Sequence, residues 1–459
     1  MKTITSLYLV ILCTILFSSQ TSFSQNLYVI GGSYFDVTSG EMIKNQGIVI
    51  KNGKFISINT TLTNTEVYKV IKLGTTEYIL PGIFDLHAHY RVTFDGVRRD
   101  EVEANPVIFL ANGVISTFPG GEIQPEVMLK TRRLIDSGKK IGARIHSSGP
   151  YFGTAFPGWN PNTTVEQINK RVDKWAKLGV SGFKAKGITP IQLEALIKRA
   201  HIHKLTVTGH LGSGYRNTVN PRDAINMGID RVEHFLGGNA LPDNQSAYAT
   251  LQDLDLNDPI VIQQINQQID LFIEKGVFFD ATLTAYGYYG HRKELYDYWH
   301  DERKYLTPYA LEITKNTRQK IDMFQKIFDI KKITVKRYFD KGGMISLGTD
   351  HPSVGEYIPG FSAHREMEAL VSIGIPNKEV LKIATINGAK ALRLDKQLGS
   401  IEIGKLADLF IVTGNPLTDI TNTRNVQTVI KEGRAYSSTI LLQTVEGKMG
   451  PKDENDWKN

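Results

Sequence analysis

These 459 residues predict an α/β fold, a (β/α)8 TIM barrel with a small β-sandwich-like domain formed by the N- and C-terminal segments. Two observations predict it. Between residues 81 and 395 short apolar runs alternate with amphipathic stretches, the pattern of parallel strands joined by helical crossovers. Outside that span both ends of the chain read as short strands and turns. A doubly wound open sheet is the alternative, but no strand is followed by a glycine-rich phosphate loop.

In order, residues 1–24 read as a signal peptide, with Lys2 at its start, an apolar core from Leu7 to Phe17, and the small residues of Ser22-Phe23-Ser24 before a cleavage site ahead of Gln25. The apolar run is too short for a membrane anchor. A secreted or periplasmic location follows as the expectation. The single cysteine, Cys13, lies inside this segment, so the mature chain has no thiol to ligate a metal or act as nucleophile.

Residues 25–80 and 396–445 form the expected composite small domain. Its strands are Leu27 to Ile30, a hairpin from Gly47 to Ile58 with Asn52-Gly53 at the turn, Ala407 to Val412, and Thr428 to Tyr436. Residues 81–395 form the barrel, and 446–459 a C-terminal tail. The barrel strands are expected at Ile83 to His89, Val114 to Phe118, Ile141 to Ser147, Gly182 to Lys186, Leu205 to His210, Arg231 to His234, Val277 to Thr282 and Met344 to Asp350.

Chemistry in such a barrel sits at the carboxyl ends of the strands. The first strand ends in His87-Ala88-His89, and alternation along a strand puts both imidazoles on one face, where they can share a metal ion. Lys184, His210, His234 and Asp350 lie at or near the ends of later strands. Four histidines, a lysine and an aspartate so placed are hard to explain as structure alone.

These residues stand in segments that resemble the amidohydrolase superfamily over nearly the whole mature chain. The segments are Leu80-Pro81-Gly82-Ile83-Phe84-Asp85-Leu86-His87-Ala88-His89, Gly179 to Lys184, Gly228 to His234, and Gly348-Thr349-Asp350. Ala384 to Leu392 and Leu398 to Leu409 add to them. The resemblance is strongest to the imidazolonepropionase-like and prolidase-like branch.

The resemblance implies two divalent metal ions. His87, His89 and Asp350 would hold the first, and His210 with His234 the second. Neutral imidazoles and a carboxylate suit Zn²⁺. An ammonium has only donors, so Lys184 enters the set through the family's carboxylated lysine, whose carbamate bridges both metals. Lys186 shares its face and competes for the role. The family mechanism is attack of a metal-bridging hydroxide on a carbonyl, with Asp350 as general base and then acid.

Candidate substrate contacts are His146, Tyr215 and Arg216, the last with a guanidinium fork suited to a carboxylate. His351, and His364 with Glu366, read as supporting residues. The aromatic stretch from Tyr286 to Tyr309 reads either as a lid or specificity wall or, the preferred reading, as peripheral helices packed by their rings. Ile321 to Tyr338 reads as an amphipathic helix with no group assigned to chemistry.

The apolar fraction of 41% and charged fraction of 22% are those of a globular protein. The net charge of +7 is spread along the chain, without a basic and aromatic block, so nucleic acid is not an expected partner. A small-molecule substrate is expected, no stable membrane anchor is, and a homo-oligomer is left open. The expected function is hydrolysis of an amide, cyclic amide or dipeptide-like carbon-nitrogen bond. A deaminase or lactonase of the same superfamily is the alternative, with Lys184 counting against the deaminase. A non-catalytic binding protein on the same fold would have lost ligands, and none is missing.

Overall fold

The computed structural model describes residues 26–290, 301–314, 321–351 and 358–457. The expected signal peptide lies outside the described residues, as does the part of the aromatic stretch that runs from 291 to 300.

From the N-terminus come β1 (Leu27–Asp36), β2 (Glu41–Lys44), β3 (Ile48–Lys51), β4 (Lys54–Ile58) and β5 (Lys69–Pro81). The β3–β4 turn has Asn52 and Gly53 both at positive φ, the geometry that Asn-Gly favours in a two-residue hairpin. β6 (Ile83–Ala88), β9 (Val114–Pro119), β10 (Arg144–Ile145), β11 (Gly182–Lys186), β12 (Thr206–His210), β13 (Arg231–Glu233), β14 (Phe278–Asp280) and β15 (Ile345–Ser346) are the eight expected barrel strands. β7 (Arg91–Phe94) and β8 (Val97–Asp100) form an additional hairpin after the first of them. β16 (Leu409–Thr413), β17 (Val426–Lys431) and β18 (Arg434–Ser437) return to the first sheet, in the order β18-β17-β16-β5-β1-β3-β4 with β2 on β1.

Both chain ends therefore meet in one sheet. Phe55 N–H donates to the Lys405 carbonyl and Ala407 N–H to that of Gly53, which folds the sheet over a cluster containing Leu27, Ile48, Phe55, Leu409 and Ile411. The alternate residues Phe410 and Val412 pack into the larger core instead, as a strand's two-residue period requires.

The barrel strands are parallel, but their pairing falls into two ladders, β10-β9-β6 and β11-β12-β13-β14-β15, rather than one ring. Separate backbone hydrogen bonds span the gaps: Leu86 N–H to Leu347 O at one seam, and Ser181 N–H to Ser147 O and Phe152 N–H to Lys184 O at the other. The third and eighth strands are shorter than expected, two residues each. At the eighth the chain leaves the ladder to reach the site. A side chain at Gly348 would lie 2.8 Å from His87 Cβ, and Asp350 turns to φ 60° so that its N–H donates to the His87 carbonyl at 2.9 Å.

Just past the end of β9, Glu122 is fully buried, and its Oε1 accepts from Ser147 Oγ at 2.7 Å and Ser148 N–H at 3.1 Å. Burial pushes its pKa up to about 8. The folded chain thus keeps a proton that the unfolded chain releases near pH 4, and the contribution of Glu122 to stability falls as pH rises from there to 8, by about 1.4 kcal/mol per unit. Glu122→Gln removes this titration. Its melting temperature relative to the parent is expected to climb between pH 5 and 8 and level off above; an offset independent of pH would contradict the assignment.

Candidate metal centre

The ends of β6, β11, β13 and the chain after β15 converge on one buried cluster. His89 Nε2 lies 2.8 Å and His87 Nε2 3.3 Å from Asp350 Oδ1. His87 Nε2 is also 3.1 Å from Lys184 Nζ, and His87 Nδ1 is 3.4 Å from Glu233 Oε2. Lys184 is ion-paired to Glu233, and Thr208 Oγ1 donates to Glu233 Oε1 at 2.8 Å. The His234 ring lies 4.8 Å from that of His87 and 4.2 Å from that of His210.

Local structure holds these groups. Asp85 Oδ1 accepts from the N–H groups of both His87 and Thr349 at 3.1 Å, and Thr349 Oγ1 donates to its Oδ2 at 2.7 Å, which ties β6 to the turn carrying Asp350. His234 adopts φ 68°, and its Nδ1 is 2.8 Å from Thr282 Oγ1. Gly120 comes so near that a Cβ there would lie 2.5 Å from His87 Cδ2 and 2.9 Å from His89 Cε1.

The residues fit a divalent cation. Two sets have ligand atoms within 4.8 Å of one another, His87–His89–Asp350 and His87–Glu233–His234. The buried nitrogens His87 Nδ1, His89 Nδ1 and His234 Nε2 have no hydrogen-bond partner among the described residues. Burial holds His87, His210 and His234 well below the ordinary imidazole value, and His89 at about 4 against the pull of Asp350. Four neutral imidazoles are therefore available at pH 7, the form that ligates metal. Burial works to raise the pKa of Asp350, but His87, His89 and His234 around it keep it well below the usual carboxylate range. Burial lowers the pKa of Lys184 in spite of Glu233.

Of the expected ligands, His87, His89, Lys184, His234 and Asp350 are together, and His210 adjoins them through His234. The grouping differs from expectation in one respect. His234 shares its set with His87 and with Glu233, a residue read only as part of a motif. Lys186 is separate from the cluster and lines the neighbouring pocket, where burial lowers its pKa to about 8.

That pocket, about 590 Å³, contains His210, Tyr215 and Arg216 together with Arg91, Arg98, Phe235 and Tyr248. Among the described residues that line it, four are Arg or Lys and none is Asp or Glu. Arg91 is buried with Nε unpartnered among the described residues. It arrives on the β7–β8 hairpin, whose sequence signal is Asp95-Gly96, both at positive φ. His146 does not line this pocket. Its Nε2 is 3.3 Å from Ser116 Oγ and its ring stacks on Phe84.

The supporting residues take structural partners. His364 lies 3.0 Å from both Thr423 Oγ1 and the Asn112 carbonyl, and Glu366 accepts from the N–H groups of Leu283 and Thr284. The His351 carbonyl accepts from His89 N–H at 2.9 Å. In the aromatic stretch, Tyr286 is buried beside the His234 ring, and Tyr288 beside His351.

Neutral imidazoles and a carboxylate gathered where parallel strands end place the chain among the barrel enzymes that use divalent metal. The amidohydrolase family matches residues 78–436, and the chain belongs to that family, as a hydrolase acting on carbon-nitrogen bonds. It is 22% identical over 440 residues to the imidazolonepropionase of Clostridium tetani, covering 87% of this chain and 92% of that one. It is 43% identical over 84 residues to a 5-methylthioadenosine/S-adenosylhomocysteine deaminase of Thermoanaerobacter pseudethanolicus, a match that spans 17% of this chain and only 20% of that relative. The structure of a Xaa-Pro dipeptidase with bound methionine superposes with a TM-score of 0.68 at 23% identity, covering 90% of this chain and all of that one, which supports the TIM-barrel-like α/β fold. Among the described residues no helix is long and apolar enough to cross a membrane.

Proposed function

We propose that the protein is an exported, binuclear amidohydrolase that cleaves an amide or dipeptide-like bond in a small anionic substrate. The observation that carries the substrate class is the pocket beside His210, lined by Arg91, Arg98, Lys186 and Arg216 and, among the described residues, by no carboxylate. Its size and the apolar wall of Leu211, Val219, Phe235 and Tyr248 suit an N-acyl amino acid or dipeptide.

His87, His89 and Asp350 would hold one cation, and His210 and His234 the other, Zn²⁺ by ligand type. Lys184, its pKa lowered by burial, would join them as the N6-carboxylated residue. When bound, such ions supply Lewis acidity, acidifying water and polarising a carbonyl. Asp350, ionised and with its side chain 22% exposed, takes the proton of the attacking water and passes it to the leaving nitrogen. Arg91, with Tyr215 and Arg216 at the rim, binds the substrate carboxylate. His146, paired with Ser116, is given no part in binding the substrate.

Zinc-loaded protein assayed on dipeptides and N-acyl amino acids, each paired with its C-terminal amide, tests the reading. The free acids are expected to be preferred by about tenfold or more, the worth of one charge-assisted hydrogen bond. Equal rates on acids and amides would contradict it. Arg91→Met is expected to lower kcat/KM for the acids by about 10- to 100-fold, chiefly through KM, and to leave the amides unchanged. The local match to a deaminase favours a second reading, deamination; ammonia release from an adenosine-type substrate, with no turnover of the amide panel, would establish it. Export predicts a mature chain beginning at Gln25, read by N-terminal sequencing.

A further inference from the structure

The helix Asp322–Asp340 buries Ile327, Phe328, Lys331, Val335 and Tyr338. The odd member is Lys331, a 2% exposed lysine on an otherwise apolar face, with no ion-pair carboxylate among the described residues. Its Nζ donates to two main-chain carbonyls, those of His234 and, at 2.5 Å, Ala281, and burial lowers its pKa to about 7 against the pull of Glu366 and Asp350. It also lies 4.3 Å from the centre of the Tyr286 ring and 5.5 Å from that of Phe235. Aromatic faces favour an amino group's N–H donors, so the two carbonyls and two rings together replace part of the water that burial removed.

Both carbonyls belong to strand ends where the backbone turns left-handed. His234 has φ 68°, and Thr282, directly after Ala281, has φ 49°. Neither is glycine, so each conformation persists only where surrounding contacts impose it. The same two residues join side chain to side chain, His234 Nδ1 to Thr282 Oγ1 at 2.8 Å. With Nδ1 so engaged, Nε2 is the nitrogen left without a partner in the cluster.

We propose that Lys331 is a positioning residue that clasps the ends of β13 and β14 and so aims His234 Nε2 at the metal. The clasp accounts for a buried lysine outside the substrate pocket, and for two strained residues at adjacent strand ends. It rests on the metal reading given above.

Lys331→Met keeps the apolar stem and deletes the donors. In full-length protein titrated with Co²⁺, the weaker of the bound ions is expected to lose about 10- to 100-fold in affinity, and the visible absorption of bound Co²⁺ to change shape. KM for an N-acyl amino acid stays within about twofold, because the pocket cations are untouched, while kcat falls. Lys331→Gln, which keeps an amide donor, is the second variant should the first not fold, and shows the same loss to a smaller degree. Co²⁺ affinity and spectrum equal to the parent's in whichever variant folds, even with a lowered melting temperature, would overturn the proposal and reduce Lys331 to a packing role. A parent protein that binds no Co²⁺ would instead remove the metal reading itself, and the proposal with it.

Discussion

Asp350→Asn is expected to lower turnover by about 10²- to 10⁴-fold, the range lost with a positioned acid-base group. An amide retains an oxygen where Asp350 Oδ1 now stands, 2.8 Å from His89 Nε2 and 3.3 Å from His87 Nε2, and so retains much of the metal. It cannot accept a proton at neutral pH. Steady-state kinetics combined with metal analysis of the same preparation checks both halves. Activity within about tenfold of the parent would refute the assignment of Asp350 as the proton carrier.

Arg231→Met has the largest expected effect on stability. Arg231 Nε is 2.7 Å from Asp280 Oδ2, at an angle too bent for a hydrogen bond, and both side chains are almost fully buried. The guanidinium also donates to the Leu86 carbonyl at 2.9 Å and covers the Phe118 ring at 4.9 Å. Removing it leaves the Asp280 carboxylate buried without its counter-charge, which costs about 3–5 kcal/mol. Burial already pushes the pKa of Asp280 up to about 6, and Arg231 acts to hold it down. Without that cation the folded variant takes up a proton at higher pH than the parent does. The gap between parent and variant is therefore largest near pH 8 and narrows as the pH falls to 5. Urea unfolding at the two pH values measures it, and a loss under about 1 kcal/mol at pH 8, the size of a surface pair, would contradict the buried-pair account.

The parts of this architecture that depend on local pattern were legible in the sequence. Alternation along an extended strand is enough to put His87 and His89 on one face, and Asn52-Gly53 carries its own turn geometry. All eight barrel strands fall where apolar runs predict them, because parallel strands buried on both faces read as continuous hydrophobic stretches. Their lengths were less legible. The eighth strand looks seven residues long as a run of apolar and small residues, yet only Ile345–Ser346 pairs regularly, since Asp350 must turn inward to meet His87.

Residues whose role depends on a partner far along the chain escaped the reading. Glu233 is adjacent to a recognised histidine, but only the fold places it against Lys184, 49 positions away. Asp85 sits in the same motif as His87 and His89 and acts on Thr349, 264 positions away. Two signals were present and unused. Asp95-Gly96 marks the hairpin that delivers Arg91, and the lysine at 331 interrupts an apolar stripe four residues from both Ile327 and Val335. An amino group in the core-facing stripe of a helix needs a buried partner, and here the partners are backbone carbonyls that no side-chain pattern reveals.

The most direct test of the metal centre is elemental analysis of the purified protein, freed of loosely bound ions by gel filtration and assayed before and after chelation. The account predicts about two equivalents of divalent metal per chain, with turnover lost on chelation and restored by Zn²⁺. Full turnover from a chain that holds no divalent metal would contradict it.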